Sequence, residues 1–124
     1  MNLLLDTHIF LWWRANEPRL GAEARTAISD ADVVFVSVAS AWEVAIKMSL
    51  GKLRLEGRFG DGVDQSGFRP LPITFEHAEH VSSLPPHHRD PFDRLLIAQA
   101  LSEGLTVVTG DRKFKPYKIP VVWA

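Results

Sequence analysis

Four carboxylates stand where a packed chain would be expected to avoid them. Asp6 directly follows Leu3, Leu4 and Leu5. Glu43 lies in SAWEVAIK, Asp93 in HRDPFDRLLIAQA, and Asp111 closes LTVVTGD. At helical spacing, Ala39, Glu43, Ile46 and Leu50 share one face with Trp42 beside it, and Asp93 falls on a stripe with Leu96, Ile97 and Ala100. A charge on an apolar stripe costs several kcal/mol unless it is paired or bound to a cation. If the four acids meet, they repel one another and raise each other's pKa. The usual resolution is a hard divalent cation. Oxygen-only ligation suits Mg²⁺ or Mn²⁺, and the absence of cysteine agrees with that. A site of this kind activates water and stabilises charge on a phosphodiester.

Each acid also has an ordinary structural reading. Asp6 can cap the apolar segment Thr7–Trp13 that follows it. Ser40 and Glu43 have the spacing of a capping box. Asp90 can be an N-cap, with Pro91 opening the helix and Asp93 facing the macrodipole from its first turn. Gly110-Asp111 reads as a turn before a short helix. The two readings of Asp6 separate by stability. If it only repels its neighbours, Asp6→Ala leaves a metal-free fold equally or more stable, and a large loss marks a cap.

The elements that must position these residues are an alternation of short β-forming runs and helical patterns. The runs are Asn2–Leu5, Val33–Val36, roughly Phe68–Ile73, Leu105–Thr109 and Ile119–Trp123. Helical stripes lie between the first four: Ala24, Ala27, Ile28 and Ala31, then Phe75, Ala78, Val81 and Leu84. The longest helical patterns are Ser40–Leu50 and Pro91–Glu103. Strands alternating with helices predict an α/β fold around a mostly parallel sheet. Each acid then lies at a strand's C-terminal end or in the first turn of a helix at that edge, where ligands bind in open α/β sheets. Arg58–Gly67 holds three glycines and reads as a loop or a weak short helix.

Length and charge bound the partners. The 124 residues suffice for one domain with one sizeable core. A formal net charge of −1 excludes wholesale electrostatic coating of nucleic acid. No apolar run reaches the roughly 18 residues of a membrane span, and MNLLLD lacks a signal peptide's basic start, so a cytoplasmic location is expected. Lys47, Lys52, Arg54, Arg89, Arg94, Arg112 and Lys113 are candidate rim cations for a phosphate backbone. Trp12 and Trp13 are expected in the core or on a dimer face rather than stacked on bases. His77 and His80 are expected to face water, opposite Phe75, Ala78 and Val81. His87 and His88 fall in a Pro-flanked loop, and with no third ligand placed, zinc is disfavoured.

With these motifs in place, the chain resembles the PIN-domain ribonucleases, in particular the VapC-type toxins of toxin–antitoxin pairs. The matching blocks are LLLDTH (Leu3–His8), SAWEVAIK with GKL (Ser40–Leu53), DPFDRLLIAQA (Asp90–Ala100) and LTVVTGD (Leu105–Asp111), in order along nearly the whole chain. The resemblance implies a single PIN domain over residues 1–124, a three-layer sandwich with sheet order 3-2-1-4-5 flanked by helices. It implies a Mg²⁺-dependent endoribonuclease that hydrolyses RNA, a homodimer, and a cognate antitoxin that blocks the site. By position, Asp6, Glu43, Asp93 and Asp111 correspond to the family's catalytic, metal-holding acids. Thr7 and Thr109 correspond to hydroxyls that hold carboxylates or water. His8 departs from the asparagine common in the wider family, and Asp90 stands three residues from Asp93 as a second candidate for the third acid. Two other classes compete: a strand-end aspartate phosphatase, which lacks its second acid because His8 stands there, and a non-catalytic interaction domain. A dinucleotide site fails for want of GxGxxG after the first strand.

Overall fold

Leu3, Leu4 and Leu5 are fully buried because β1 (Asn2–Leu5) is the middle strand of a five-stranded sheet covered on both faces. The computed structural model describes all residues from Met1 to Ala124. In chain order β1 is followed by α1 (Thr7–Ala15), α2 (Ala22–Asp30), β2 (Val33–Ser37), α3 (Val38–Ser49), α4 (Phe59–Gln65), β3 (Arg69–Leu71), α5 (Phe75–His80), α6 (Pro91–Glu103), β4 (Thr106–Thr109) and β5 (Val121–Trp123). Single 3₁₀ segments span Val81–Ser83 and Arg112–Tyr117. The sheet order is 3-2-1-4-5, and every pair is parallel. Leu5 pairs with Val36 on one side and Val108 on the other, so the C-terminal ends of β1, β2 and β4 lie side by side.

Strand alternation divides the core in two. Leu4 and Val107 face a cluster with Leu96, Ile97, Ala100 and Phe114, under α6. Leu3, Leu5, Val34, Val36 and Val108 face the opposite cluster, with Ile9, Phe10, Ala24, Ile28 and Val63 from α1, α2 and α4. Trp12 and Trp13 are half-buried against this second cluster, and Trp13 packs on Phe68 at 5.7 Å between centroids.

The edge strands are shorter than the apolar runs. Only Arg69–Leu71 of Phe68–Ile73 and Val121–Trp123 of Ile119–Trp123 are strand. Pro72 and Pro120 lack the N–H needed to extend the ladder, and Pro70 is tolerated because β3 is an edge. The glycine-rich Arg58–Gly67 segment does hold a helix, α4, anchored by buried Val63. The face of α5 is reversed from expectation. Phe75 is 88% exposed and Ala78 is also exposed, whereas His77 is buried. Thr74 caps α5 by accepting from His77 N at 3.1 Å, and His77 Nδ1 accepts from Thr74 N at 3.1 Å. This reciprocal cap turns His77 inward and leaves Phe75 outside.

Candidate metal centre

Asp6 is the first residue beyond β1 and the N-cap of α1. Its Oδ1 accepts from Ile9 N at 3.0 Å, and its Oδ2 accepts from the Thr109 hydroxyl at the end of β4. Capping and a place in the site are therefore one arrangement, because the helix start and the pocket share the same strand edge. Asp6→Ala would remove a cap as well as a charge, so the stability contrast drawn from sequence does not separate the two readings. Burial raises the Asp6 carboxyl above the ordinary aspartate range, against the lowering effects of the Thr109 and Ile9 hydrogen bonds.

Glu43 is not a capping-box residue. The helix starts at Val38 with Ser37 as N-cap, accepting from Ala39 N at 3.0 Å, so Glu43 lies in the second turn. Its carboxylate is buried and held at both oxygens. The Thr7 hydroxyl donates to Oε1 at 2.7 Å and Lys47 Nζ to Oε2 at 2.8 Å. The Ser40 hydroxyl lies 2.9 Å from that of Thr7.

Asp90 is the N-cap of α6, accepting from Phe92 N at 2.8 Å and Asp93 N at 3.3 Å through one oxygen. Asp93, in the first turn, is half-buried. Burial, then the Asp90 charge, push it up to about 7, with Asp6 adding to the rise and His88 opposing it. Asp111 caps the 3₁₀ segment by accepting from Lys113 N at 3.0 Å, and its own amide donates to Thr109 Oγ1 at 3.0 Å.

All four acids line a single cavity of about 490 Å³, together with His8, Lys47, His87, His88, Arg89, Asp90 and Lys113, and no lining residue is hydrophobic. Of the seven cations singled out as a rim, Lys47, Arg89 and Lys113 line it. Arg94 does not: its guanidinium donates to the carbonyls of Val81, Pro85 and His88 and to the Tyr117 hydroxyl, and so holds the loop before α6 in place. Arg112 lies over the Trp123 ring at 5.2 Å. Lys52 and Arg54 lie outside the lining set.

His88 is the residue that sequence reasoning missed. It is buried, and its Nε2 lies 2.8 Å from Asp93 Oδ2 and 3.6 Å from Asp111 Oδ2. One ligand atom from each of these residues falls within 4.8 Å of the others. The sequence signal was the placement of HH two residues before the Asp90 cap, which says nothing of where either ring turns. His77 and His80 belong to no such cluster; His77 caps α5, and His80 Nδ1 lies 3.1 Å from Ser102 Oγ.

The donor set fits a hard divalent cation. The acids offer only oxygen, and Asp6 and Asp93 are raised above the ordinary carboxylate range chiefly by burial that a cation would offset. Trp42 and Phe92, each one residue before an acid, form an edge-on ring pair with centroids 5.2 Å apart.

Comparison with known proteins agrees with this arrangement. The PIN domain family's model matches residues 3–119. Ribonuclease VapC22 of Mycobacterium tuberculosis (strain ATCC 25618 / H37Rv) is 31% identical over 131 aligned positions, covering 98% of each chain. Among solved structures, VapBC2 from Rickettsia felis, bound to a DNA fragment from its promoter, superposes with a TM-score of 0.70 at 16% identity, over 98% of each chain. A toxin–antitoxin complex from Klebsiella pneumoniae gives 0.65 at 22% identity, over 97% of this chain and 95% of that one. At those identities the solved structures establish the fold, and this chain's sheet has the expected order 3-2-1-4-5. The family model and the 31% relative together carry the assignment: this chain belongs to the PIN-domain family, in its VapC-type ribonuclease branch.

Proposed function

We propose that this protein is the toxin of a toxin–antitoxin pair, an endoribonuclease that hydrolyses RNA phosphodiester bonds with Mg²⁺ or Mn²⁺ held by Asp6, Glu43, Asp93 and Asp111. The observation that carries this reading is the single polar cavity those four acids line, with Asp6 and Asp93 both raised above the usual range. A divalent cation bound there supplies activated water and neutralises charge developing on the phosphate. The chain's own groups do the rest. The Thr109 hydroxyl and the Ile9 amide fix the Asp6 carboxylate, and the Thr7 hydroxyl and Lys47 fix Glu43. Lys47, Arg89 and Lys113 give a polyanion a favourable approach to an otherwise acidic pocket. No side chain needs to form a covalent bond with phosphorus.

A homodimer and a cognate antitoxin that covers the pocket complete the proposal. The antitoxin draws support from the toxin–antitoxin complex among the structural neighbours. No helix is long and apolar enough to cross a membrane. The phosphatase alternative needs a second acid where exposed His8 stands. An interaction domain without activity gives no reason for one buried and one half-buried carboxylate, both raised in pKa.

The test is cleavage of mixed RNA by wild type with Mg²⁺, by wild type with EDTA, and by Asp6→Asn with Mg²⁺. Products should form only in the first. Cleavage that survives both EDTA and the substitution would exclude the metal mechanism, and a clean preparation that cuts nothing would favour the interaction domain.

A further inference from the structure

His88 has no part in the function proposed above, yet it is held from every side. It is 7% exposed, and its backbone N–H donates to the Tyr117 hydroxyl at 2.8 Å. Phe114 stands edge-on to the ring with centroids 6.1 Å apart. The Asp90 backbone N–H donates to Nδ1 at 3.4 Å, and Nε2 faces Asp93 Oδ2 at 2.8 Å and Asp111 Oδ2 at 3.6 Å.

A nitrogen that accepts a hydrogen bond carries no proton. With Nδ1 accepting from the Asp90 amide, the proton of the neutral ring sits on Nε2. That N–H points at Asp93. A role as nitrogen ligand would require the reverse: Nε2 bare and the proton on Nδ1, where it would meet the Asp90 N–H head-on. The nearness of His88, Asp93 and Asp111 ligand atoms is thus better explained by donation than by shared ligation. We infer that His88 is a positioning residue, whose Nε2–H holds the Asp93 carboxylate, with Asp111 behind it, in place for the cation without binding the cation itself. Donation uses one lone pair of Asp93 Oδ2, and Oδ1 remains open to the cation. The inference rests on the metal reading of the pocket. Partners of this kind typically change metal affinity about 10–100-fold when removed.

Two experiments decide it. Long-range ¹⁵N–¹H NMR of the imidazoles reads the tautomer directly. The proton should be on Nε2, with Nδ1 bare, in metal-free and in Mg²⁺-loaded protein. A proton on Nδ1 with Nε2 bare overturns the inference. The second is Mn²⁺ binding, followed by electron paramagnetic resonance, in wild type, His88→Gln and His88→Leu. Gln can place an amide N–H where Nε2–H stands, but it carries no charge and no ring nitrogen; Leu has no donor at all. Gln should bind Mn²⁺ within roughly threefold of wild type, and Leu about 10–100-fold more weakly. Equal loss in both variants assigns His88 as a ligand or a charge, and no loss in either makes it a packing residue; both results overturn the inference. Should the Leu variant fail to fold, the Gln variant and the NMR spectrum still decide. Wild type that binds no Mn²⁺ overturns the metal reading itself, a result distinct from either variant outcome.

Discussion

Asp6 gives one carboxylate oxygen to the start of α1 and the other to the Thr109 hydroxyl, and both contacts lie at the wall of the pocket. Its cap and its charge can be separated by choice of substitution. Asn caps about as well as Asp without the charge, whereas Ala removes both charge and cap. In EDTA, Asp6→Asn should be at least as stable as wild type, and Asp6→Ala about 1 kcal/mol less stable than Asp6→Asn. Chemical denaturation measures both; equal stability of the two variants would mean that the cap contributes nothing. Asp93 carries the pH dependence. Its carboxyl stands at about 7 in the folded protein against an ordinary 3.8. Below the ordinary value the group is protonated in both states and has no effect on stability. As pH rises toward the folded value, the unfolded chain releases its proton first, so stability falls. Metal-free wild type should therefore lose stability relative to Asp93→Asn between about pH 4 and pH 7, as read by paired denaturation curves. A constant difference would mean that Asp93 is not raised. The four acids were legible as carboxylates on apolar stripes or at strand ends. His88 was not, because its partners depend on a loop conformation set by Tyr117, Arg94 and the Asp90 amide rather than by any period in the sequence.

At the scale of elements, periodicity located strands and helices well and misjudged ends and one face. The central strands β1, β2 and β4 match their apolar runs within a residue, since nothing in those runs interrupts the ladder. β3 and β5 are cut short by prolines that a count of apolar residues ignores. The Phe75, Ala78 and Val81 stripe had helical spacing, but the Thr74–His77 cap outweighs it and sets which side of α5 faces in. The Ser40–Glu43 spacing was a coincidence of register, because α3 starts earlier, at the Ser37 cap. α6 is the element that carries Asp93, and its two ends have separate duties. Gly104 closes it at φ 66°, with open space where a Cβ would stand. Gly104→Ala should cost about 1 kcal/mol through backbone conformation alone. Its melting temperature should fall while RNA cleavage stays at the wild-type rate. Lost cleavage in a folded Gly104→Ala protein would mean that the far end of α6 also sets the position of Asp93.

The whole molecule brings acids from four separate stretches to one edge because a parallel sheet puts every strand's C-terminal end on the same side. Which strands are neighbours was not readable from periodicity; the order came with the family resemblance, and the structure has it. A net charge of −1 conceals a local imbalance, with Asp6, Glu43, Asp90, Asp93 and Asp111 facing only Lys47, Arg89 and Lys113 across the cavity, histidines aside. A bound cation would offset that imbalance. The most direct test is titration calorimetry with Mn²⁺ on wild type, Asp6→Asn and Asp93→Asn, each first shown to be folded. Wild type should bind, and each variant should bind at least about tenfold more weakly, since each loses a charged ligand. Folded variants that bind Mn²⁺ as tightly as wild type would contradict the claim that these acids form one metal centre.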